Sequence, residues 1–309
     1  MRVLFAAGAA RWPQWEGPLR RACAEAGVEV ELVRRAAPAT VEAIIYAPTG
    51  DPPPDFTPFT ACRLVQSLWA GVERIVTNPT LTQPLARMVD PGLRQGMVEY
   101  VCGHVLRLHL GIDAVLAAQA GHWHPVVPPL ASERPVAVLG LGELGGACAQ
   151  ALAGLGFPVL GWSRGPRTLP GVDCHHGEDG LRAVLGQARI VVTLLPATAA
   201  TDSLLDARRL GWLPMGAMLV NPGRGSVIDD QALLEALASG RLAQATLDVF
   251  RTEPLPPDHP FWAHPRVTVT PHIAAETRPE SAARVVADNL RRLRDGVPLR
   301  HLVDRAAGY

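Results

Sequence analysis

The sequence predicts an α/β protein built from two doubly wound, parallel-sheet domains. Short apolar runs of strand length alternate with helix-length segments in both halves of the chain, a pattern typical of parallel sheets covered by helices. A glycine-rich turn at residues 140–145 lies between an apolar strand and a helix. With 309 residues the chain is long enough to form two separate cores.

The first part of the chain alternates strands and helices. Four short apolar runs predict strands at residues 2–7, 28–33, 43–47 and 64–69. Helical segments are expected near residues 15–26 and around Val72. Proline-rich residues 48–58 predict a loop, since proline cannot continue either kind of element.

A long helix is predicted over residues 97–119. It carries two apolar stripes, namely Met97, Val101, Val105, Leu108, Ile112 and Val115, and Val98, Cys102, Leu106 and Leu110. Two stripes indicate burial on two sides. A helix between domains, a helix at a subunit interface and a helix inside one domain all fit this pattern.

A second alternating array follows the loop at residues 121–135. Strands are predicted at residues 136–139, 159–162, 190–195, 217–221, 244–249 and 267–270. The last helix opens with Thr277 and Glu280 at the spacing of a capping box. One face of this helix carries Ala282, Val285, Val286, Leu290 and Leu293.

The glycine turn predicts a Rossmann-type dinucleotide site. Gly140, Gly142 and Gly145 follow a strand and open a helix whose apolar positions begin at Leu144. Such a turn allows close backbone approach to a pyrophosphate, which would lie at the helix N-terminus. Glu143 is discordant, because a carboxylate there repels phosphate unless it points outward.

The end of the next strand indicates which cofactor is preferred. An NAD-specific site has an acid there that binds the ribose diol, but this chain has Ser163 and Arg164, with Arg167 nearby. An arginine suits a 2′-phosphate, so NADPH is expected to be preferred over NADH. The other interpretation is that both arginines are solvated surface charges.

Three polar side chains follow successive strands of the same predicted sheet. Arg224 lies between two glycines, Glu253 precedes a proline, and His272 follows the last strand. An arginine can hold a carboxylate in a two-pronged hydrogen bond, and a histidine can protonate a carbonyl oxygen. Each residue alone also has a structural interpretation, but together with a dinucleotide they predict reduction of a 2-oxo acid.

Composition excludes several other classes of protein. The chain contains no lysine, which excludes lysine-based aldolases, the GK[ST] phosphate loop and reductases that use a Tyr/Lys pair. A net charge of zero with scattered arginines favours neither nucleic acid nor an acidic membrane.

Cysteine usage and hydropathy indicate a cytoplasmic protein. Five widely spaced cysteines without a CxxC pair suit a reducing compartment and no metal site. The apolar N-terminus is short and suits a buried strand better than a signal peptide. No apolar run approaches the ~20 residues of a membrane helix.

The order of motifs resembles the D-2-hydroxyacid dehydrogenase family. These motifs are GLGELG, LLPAT, NPGRG, LDVFRTEPLP and TPHIAA. WSR at residues 162–164, the stretch from DVFRTEP to ETRP and the terminal VDRAAGY are similar to the glyoxylate/hydroxypyruvate reductase A subgroup. The resemblance implies NADPH-dependent reduction of glyoxylate to glycolate and of hydroxypyruvate to D-glycerate.

The resemblance also implies a domain arrangement. A Rossmann cofactor domain, residues 96–275, would be inserted in a flavodoxin-like substrate domain, residues 1–95 plus 276–309. The last helix would then pack on the N-terminal domain, and the protein would be a homodimer.

Residue roles carry over by motif. Arg224 would bind the substrate, Glu253 would partner the histidine, and His272 would donate the proton. The loop with Trp69, Ala70 and Gly71 would present backbone N–H groups to the substrate carboxylate. Positions assigned to the cofactor site, besides those named above, are Leu195, Pro196, Thr198, Pro222, Gly223, Asp248 and Ala274. Pro222 and Gly223 depart from the family pattern, and we expect Gly223 to loosen the turn before Arg224.

Rival interpretations stay open at this point. A dinucleotide-sensing, corepressor-like protein could keep the three polar residues without turnover. Another enzyme of the same family, acting on a different 2-oxo acid, on 3-phosphoglycerate, on phosphite or on formate, would carry the same residues.

Overall fold

The computed structural model describes residues 1–48, 54–119, 121, 123, 125–305 and 308. It contains two compact units, one of Met1–Leu93 with Glu276–Tyr309 and one of Arg94–Ala275, called here the N-terminal and the central unit. Residues 49–53 of the predicted proline-rich loop lie outside the described residues. So do parts of the 121–135 loop and of the terminal VDRAAGY motif.

The N-terminal unit is built on a parallel sheet of five strands in the order β2-β1-β3-β4-β5. The strands are β1 (Arg2–Ala6), β2 (Glu31–Val33), β3 (Ala43–Tyr46), β4 (Val65–Ser67) and β5 (Leu85–Ala86). This is the order of flavodoxin-like sheets. The sequence predicts the first four strands, whereas the two residues of β5 are too few to show a periodicity.

Both faces of this sheet are buried. Successive side chains of a strand point to opposite faces, so Val3 and Phe5 belong to one apolar cluster, and Ile44 and Tyr46 to another. The first cluster also contains residues of α1 (Trp12–Glu25) and α10 (Pro279–Asp295), and the second contains Ile75 of α2 (Glu73–Val76). The last helix therefore packs within the N-terminal unit.

The start of α10 differs from the prediction. Its N-cap is Arg278, without a side-chain cap. The Thr277 hydroxyl donates instead to the carbonyl of Leu68 at 2.7 Å, and Glu280 pairs with Arg21 at 2.7 Å. The predicted capping box is therefore wrong, because both side chains have tertiary partners. The predicted apolar face is confirmed, with only Val285 partly exposed.

The central unit is built on a parallel sheet of seven strands in the order β12-β11-β10-β9-β6-β7-β8. The strands are β6 (Val136–Leu139), β7 (Val159–Ser163), β8 (Val172–His176), β9 (Ile190–Thr193), β10 (Ala217–Asn221), β11 (Leu242–Leu247) and β12 (Val267–Val269). This is the Rossmann order with one further strand, and the direction of winding reverses between β6 and β9. The sequence did not predict β8, whose residues VDCHH are mostly polar.

Helices cover the central sheet. They are α5 (Glu143–Gly154), α6 (Gly177–Gln187), α7 (Ala207–Leu210), α8 (Asp230–Ala238) and α9 (Pro260–Ala263). Ala137 and Leu139 of β6 pack into one apolar cluster, and Val136 and Val138 into another. As in the other unit, a continuous apolar run is explained by burial on both faces.

The predicted helix 97–119 is two helices. α3 (Pro91–Leu110) ends at Gly111, whose φ of 65° is left-handed, and α4 (Ile112–Ala117) follows. The first stripe is buried from Met97 to Leu108, but Val115 is 49% exposed. The second stripe is only half-buried or exposed, so the expected burial on two sides is wrong within the single chain.

Among the described residues, no helix has both the length and the apolarity needed to cross a membrane. All five cysteines are free.

Candidate active site

The polar residues predicted from the motifs lie at one edge of the central sheet. β10, β11 and β12 are adjacent and parallel, so their carboxyl ends lie side by side. Arg224 follows β10, Asp248 and Glu253 follow β11, and His272 follows β12. This edge is where doubly wound sheets bind their ligands.

His272 and Glu253 form a hydrogen-bonded pair. Nδ1 of His272 lies 2.8 Å from Oε2 of Glu253. The other carboxylate oxygen, Oε1, accepts the backbone N–H of Phe250 at 2.9 Å. Because both carboxylate oxygens are engaged, the imidazole is held by Nδ1, and Nε2 is the ring nitrogen left to exchange a proton with a bound molecule.

Electrostatics keep this pair in its charged form. The hydrogen bond to Glu253 raises the pKa of His272, against an opposing effect of burial. The negative charges of Glu253 and Asp248 raise this pKa further, and Arg224 lowers it. Burial alone would raise the pKa of Glu253, but its bonds from His272 and Phe250 lower it. Both shifts favour the charged pair of imidazolium and carboxylate over its neutral form.

The turn that carries His272 is tied to Asp248. The φ of His272 is +55°, a left-handed conformation that a residue with a Cβ adopts only when its surroundings impose it. Its N–H donates to the carbonyls of Asp248 (2.9 Å) and Thr270 (3.0 Å). The buried Asp248 carboxylate accepts the N–H groups of Ile273 and Ala274, each at 2.9 Å. The sequence assigned Asp248 only to the cofactor and did not reveal this bracing role.

Arg224 stands on a tightly packed turn. The Asn221 amide donates to the Arg224 carbonyl at 3.1 Å, while its oxygen accepts the N–H of Gly223 at 3.1 Å. A Cβ on Gly225 would overlap the backbone of Phe250, and one on Gly223 would lie 2.7 Å from the carbonyl oxygen of Thr193. The expectation that Gly223 loosens this turn is wrong, because the glycine is required by close packing.

A further arginine links the loop that bears Glu253 to the loop that bears Arg224. Arg251 donates through Nη2 to the carbonyls of Ser226 (3.0 Å) and Ile228 (2.9 Å) and to the hydroxyl of Ser203 (2.7 Å). It joins the segment that bears Glu253 to the segment just after Arg224. Arg251 lies within the LDVFRTEPLP motif, but the sequence did not reveal these contacts.

The glycine turn after β6 can accept a dinucleotide. Gly140 has a φ of +102°, and a Cβ there would meet the Leu194 carbonyl oxygen at 2.5 Å. A Cβ on Gly145 would lie in contact with the Gly140 carbonyl, so the strand and α5 approach as closely as the fold requires. Around Gly142 no described atom lies within 4 Å of such a Cβ, so the backbone there is open to a ligand.

The backbone N–H groups at the start of α5 suit a pyrophosphate. α5 starts at Glu143, and its N-cap, Gly142, makes no side-chain cap bond. The N–H groups of its first turn are therefore directed at an approaching anion. Glu143 is exposed and Leu144 is half-buried.

The end of β7 and the loop after β9 contain the remaining predicted cofactor residues. Ser163 is half-buried and donates to the Gly165 carbonyl at 2.7 Å, while Arg164 and Arg167 are exposed. Thr201 pins the second loop, because its hydroxyl donates to the Pro196 carbonyl at 2.6 Å and accepts the N–H of Thr198 at 2.9 Å. Leu195, Pro222 and Ala274 are buried.

The predicted carboxylate-binding loop belongs to the N-terminal unit. The N–H of Trp69 donates to the Ser67 hydroxyl at 3.0 Å. The N–H groups of Ala70 and Gly71 have no acceptor among the described residues, and both residues are half-buried. These two donors, and not that of Trp69, are available to a ligand.

Comparison with known proteins gives consistent similarities. Residues 102–274 match the family described as D-isomer specific 2-hydroxyacid dehydrogenase, NAD binding domain. A Salmonella heidelberg protein named glyoxylate/hydroxypyruvate reductase A is 38% identical over 272 residues, which is 85% of this chain and 87% of the relative.

Two solved structures are similar over the whole chain. A D-isomer specific 2-hydroxyacid dehydrogenase from Xanthobacter autotrophicus, in complex with NADPH and MES, has a TM-score of 0.92 and 40% identity, covering 100% of this chain and 99% of that one. An NADPH-dependent glyoxylate/hydroxypyruvate reductase from Sinorhizobium meliloti, in complex with NADP and sulfate, has a TM-score of 0.87 and 32% identity with the same coverage.

Proposed function

Because this chain belongs to the family of D-isomer-specific 2-hydroxyacid dehydrogenases, we propose that it reduces glyoxylate and hydroxypyruvate with NADPH. It is an NAD(P)-dependent enzyme. The observation that carries the proposal is the His272–Glu253 pair, 2.8 Å long, at the sheet edge that also bears Arg224. Glycolate and D-glycerate are the expected products.

The cofactor is NADP, and this chain offers it a defined set of contacts. The first turn of α5, opened by Gly142, would hold the pyrophosphate, while Ser163 and Arg164 would lie near the 2′-phosphate. Arg167 would add a more exposed contact. Bound NADPH supplies the hydride for the carbonyl carbon of the substrate.

Substrate binding relies on charge and on geometry. The planar guanidinium of Arg224 would bind the carboxylate of a 2-oxo acid with two parallel hydrogen bonds. Within the N-terminal unit, the N–H groups of Ala70 and Gly71, which have no acceptor among the described residues, are proposed donors to a carboxylate. Close packing of Gly225 on Phe250 holds the arginine's backbone, so little ordering is needed on binding.

Proton delivery falls to His272. Its Nε2 would donate a proton to the carbonyl oxygen as that oxygen becomes negative. Nδ1 would keep its own proton, which is hydrogen-bonded to Glu253. Arg224 and the imidazolium both offset the developing charge. The product is the 2-hydroxy acid, and the neutral imidazole regains a proton from solvent, to which half of its side-chain surface is open.

Absorbance at 340 nm tests this proposal. Loss of NADPH absorbance with glyoxylate or hydroxypyruvate supports it, and a panel of other 2-oxo acids, phosphite and formate, with both cofactors, ranks the alternatives. NADPH binding without turnover of any member of the panel would favour the sensor interpretation.

We also propose a homodimer, located in the cytoplasm. The end of α3, α4 and the segment after it expose apolar side chains, namely Leu110, Val115, Leu116, Val126, Val127 and Leu130. Exposed apolar side chains of this kind are typical of an interface between identical chains. The free cysteines suit a reducing compartment.

A further inference from the structure

We propose that Tyr100 and Thr270 are positioning residues that hold the His272 turn and keep its imidazole on Glu253. Thr270 is the first residue of the TPHIAA motif, but neither Thr270 nor Tyr100 was assigned a role from the sequence. The inference rests on the proposed role of His272 as proton donor.

The two residues form a chain of hydrogen bonds that ends on Asp248. The Tyr100 hydroxyl, in the middle of α3, lies 2.7 Å from Oγ1 of Thr270. The same Oγ1 lies 2.6 Å from Oδ1 of Asp248. The Asp248 carboxylate also accepts the N–H groups of Ile273 and Ala274, the two residues that directly follow His272.

The direction of this chain follows from chemistry. The Thr270 hydroxyl donates its single proton to Oδ1 of Asp248. Oγ1 of Thr270 must then accept from Tyr100. Burial raises the pKa of Tyr100, which keeps the phenol protonated and able to donate at neutral pH.

The turn requires this support because it is intrinsically unfavourable. His272 is left-handed, and such residues persist only where the surroundings over-determine the backbone. Among the described residues of the turn, Thr270 is the one whose side chain bonds Asp248; the other bonds to Asp248 come from backbone N–H groups. Through Tyr100 this bond is anchored to α3, whose buried stripe packs in the core of the central unit.

The ionisation of His272 reports on the turn. Among the groups that face it, Glu253 and Asp248 raise its pKa and Arg224 lowers it, as does burial. The bond to Glu253 is the largest of these effects and depends on distance. If the turn loosens, this bond weakens first, and the pKa of His272 falls.

The test compares Thr270→Val with Thr270→Ser in the full-length protein. Valine keeps the shape and removes the hydroxyl, whereas serine keeps the hydroxyl. The titration of the His272 imidazole is followed by NMR, with the signal assigned by its loss in His272→Gln. Thr270→Val should lower the midpoint by about half a pH unit or more, and Thr270→Ser should restore it.

Steady-state kinetics give a second readout. Thr270→Val should lower kcat for glyoxylate by about 3–10-fold, with KM for NADPH changed by less than about twofold. In a plot of kcat against pH for Thr270→Val, the descending limb should move to lower pH together with the midpoint of the His272 titration. Tyr100→Phe should shift the kcat limb and the His272 midpoint in the same direction by a smaller amount, because Thr270 keeps its bond to Asp248.

An unchanged His272 midpoint in Thr270→Val overturns the inference. If that variant does not fold, Tyr100→Phe decides in its place, and a wild-type midpoint and kcat there have the same consequence. The NMR titration needs no turnover, so the two proposals fail separately. A wild-type protein inactive on every 2-oxo acid would refute the proposed function, whereas active variants with an unshifted His272 would refute only this inference.

Discussion

Replacing Glu253 by glutamine should move the pH dependence of reduction to lower pH. The wild-type pair joins Nδ1 of His272 to a carboxylate oxygen at 2.8 Å. Glutamine has nearly the same size and can still accept a hydrogen bond, but it has no negative charge. The imidazolium then keeps a neutral acceptor and the opposing positive charge of Arg224.

The size of this effect follows from the geometry. A hydrogen bond between charged groups contributes about 1.5–3 kcal/mol, but the side chains of His272 and Glu253 are 52% and 36% exposed. Solvent screening at that exposure favours the low end of the range or less. A loss of ~1.4 kcal/mol corresponds to a pKa lower by about one pH unit.

The assay is kcat/KM for glyoxylate with NADPH, measured from about pH 5 to pH 10. Because the protonated imidazole is the donor, reduction is lost as pH rises through the raised pKa of His272. Glu253→Gln should move this descending limb down by about one pH unit, and activity above the limb should fall about tenfold. Oxidation of the 2-hydroxy acid needs neutral imidazole, so its rising limb should move down by the same amount.

Glu235→Gln is the matched control. It removes the same charge from an exposed position on α8, where Glu235 bonds only Gln231 among the described residues. Its pH profile should be that of the wild type. A descending limb at the wild-type pH in Glu253→Gln would show that this carboxylate does not set the ionisation of the donor.

Three further changes test the rest of the site, and light scattering tests the assembly. His272→Ala should lower turnover by roughly 10²–10⁴-fold while fluorescence titration still shows NADPH binding; near-normal turnover would remove the proton-donor assignment. Arg224→Lys should lower kcat/KM for every 2-oxo acid, because a point charge cannot reproduce the planar fork; loss on one substrate alone would make it a specificity residue. Ser163→Asp combined with Arg164→Gln should change the NADPH-to-NADH ratio of kcat/KM by ~10–100-fold, and an unchanged ratio would show that these positions do not select the cofactor. Light scattering should show a dimer, and a stable monomer at micromolar concentration would contradict the proposed interface.

The sequence by itself determined the fold class and the approximate position of the site. Strands that are buried on both faces appear in the sequence as continuous apolar runs. The spaced glycines of the turn that begins at Gly140 can also be recognised in the sequence. A parallel sheet places the carboxyl ends of neighbouring strands at one edge. The proximity of Arg224, Glu253 and His272 could therefore be predicted from their positions after successive strands. Elements with weak local signals were missed, as with the polar edge strand β8 and the two-residue β5.

The tertiary structure decided how those side chains are held. The bond between Tyr100 and Thr270 joins residues 170 positions apart, and the contacts of Arg251 depend on how two loops pack. The capping box at Thr277 failed for the same reason, because a tertiary acceptor at Leu68 took its hydroxyl. Local patterns record which residues are buried and where strands end, whereas hydrogen bonds between distant loops depend on packing that no short segment encodes.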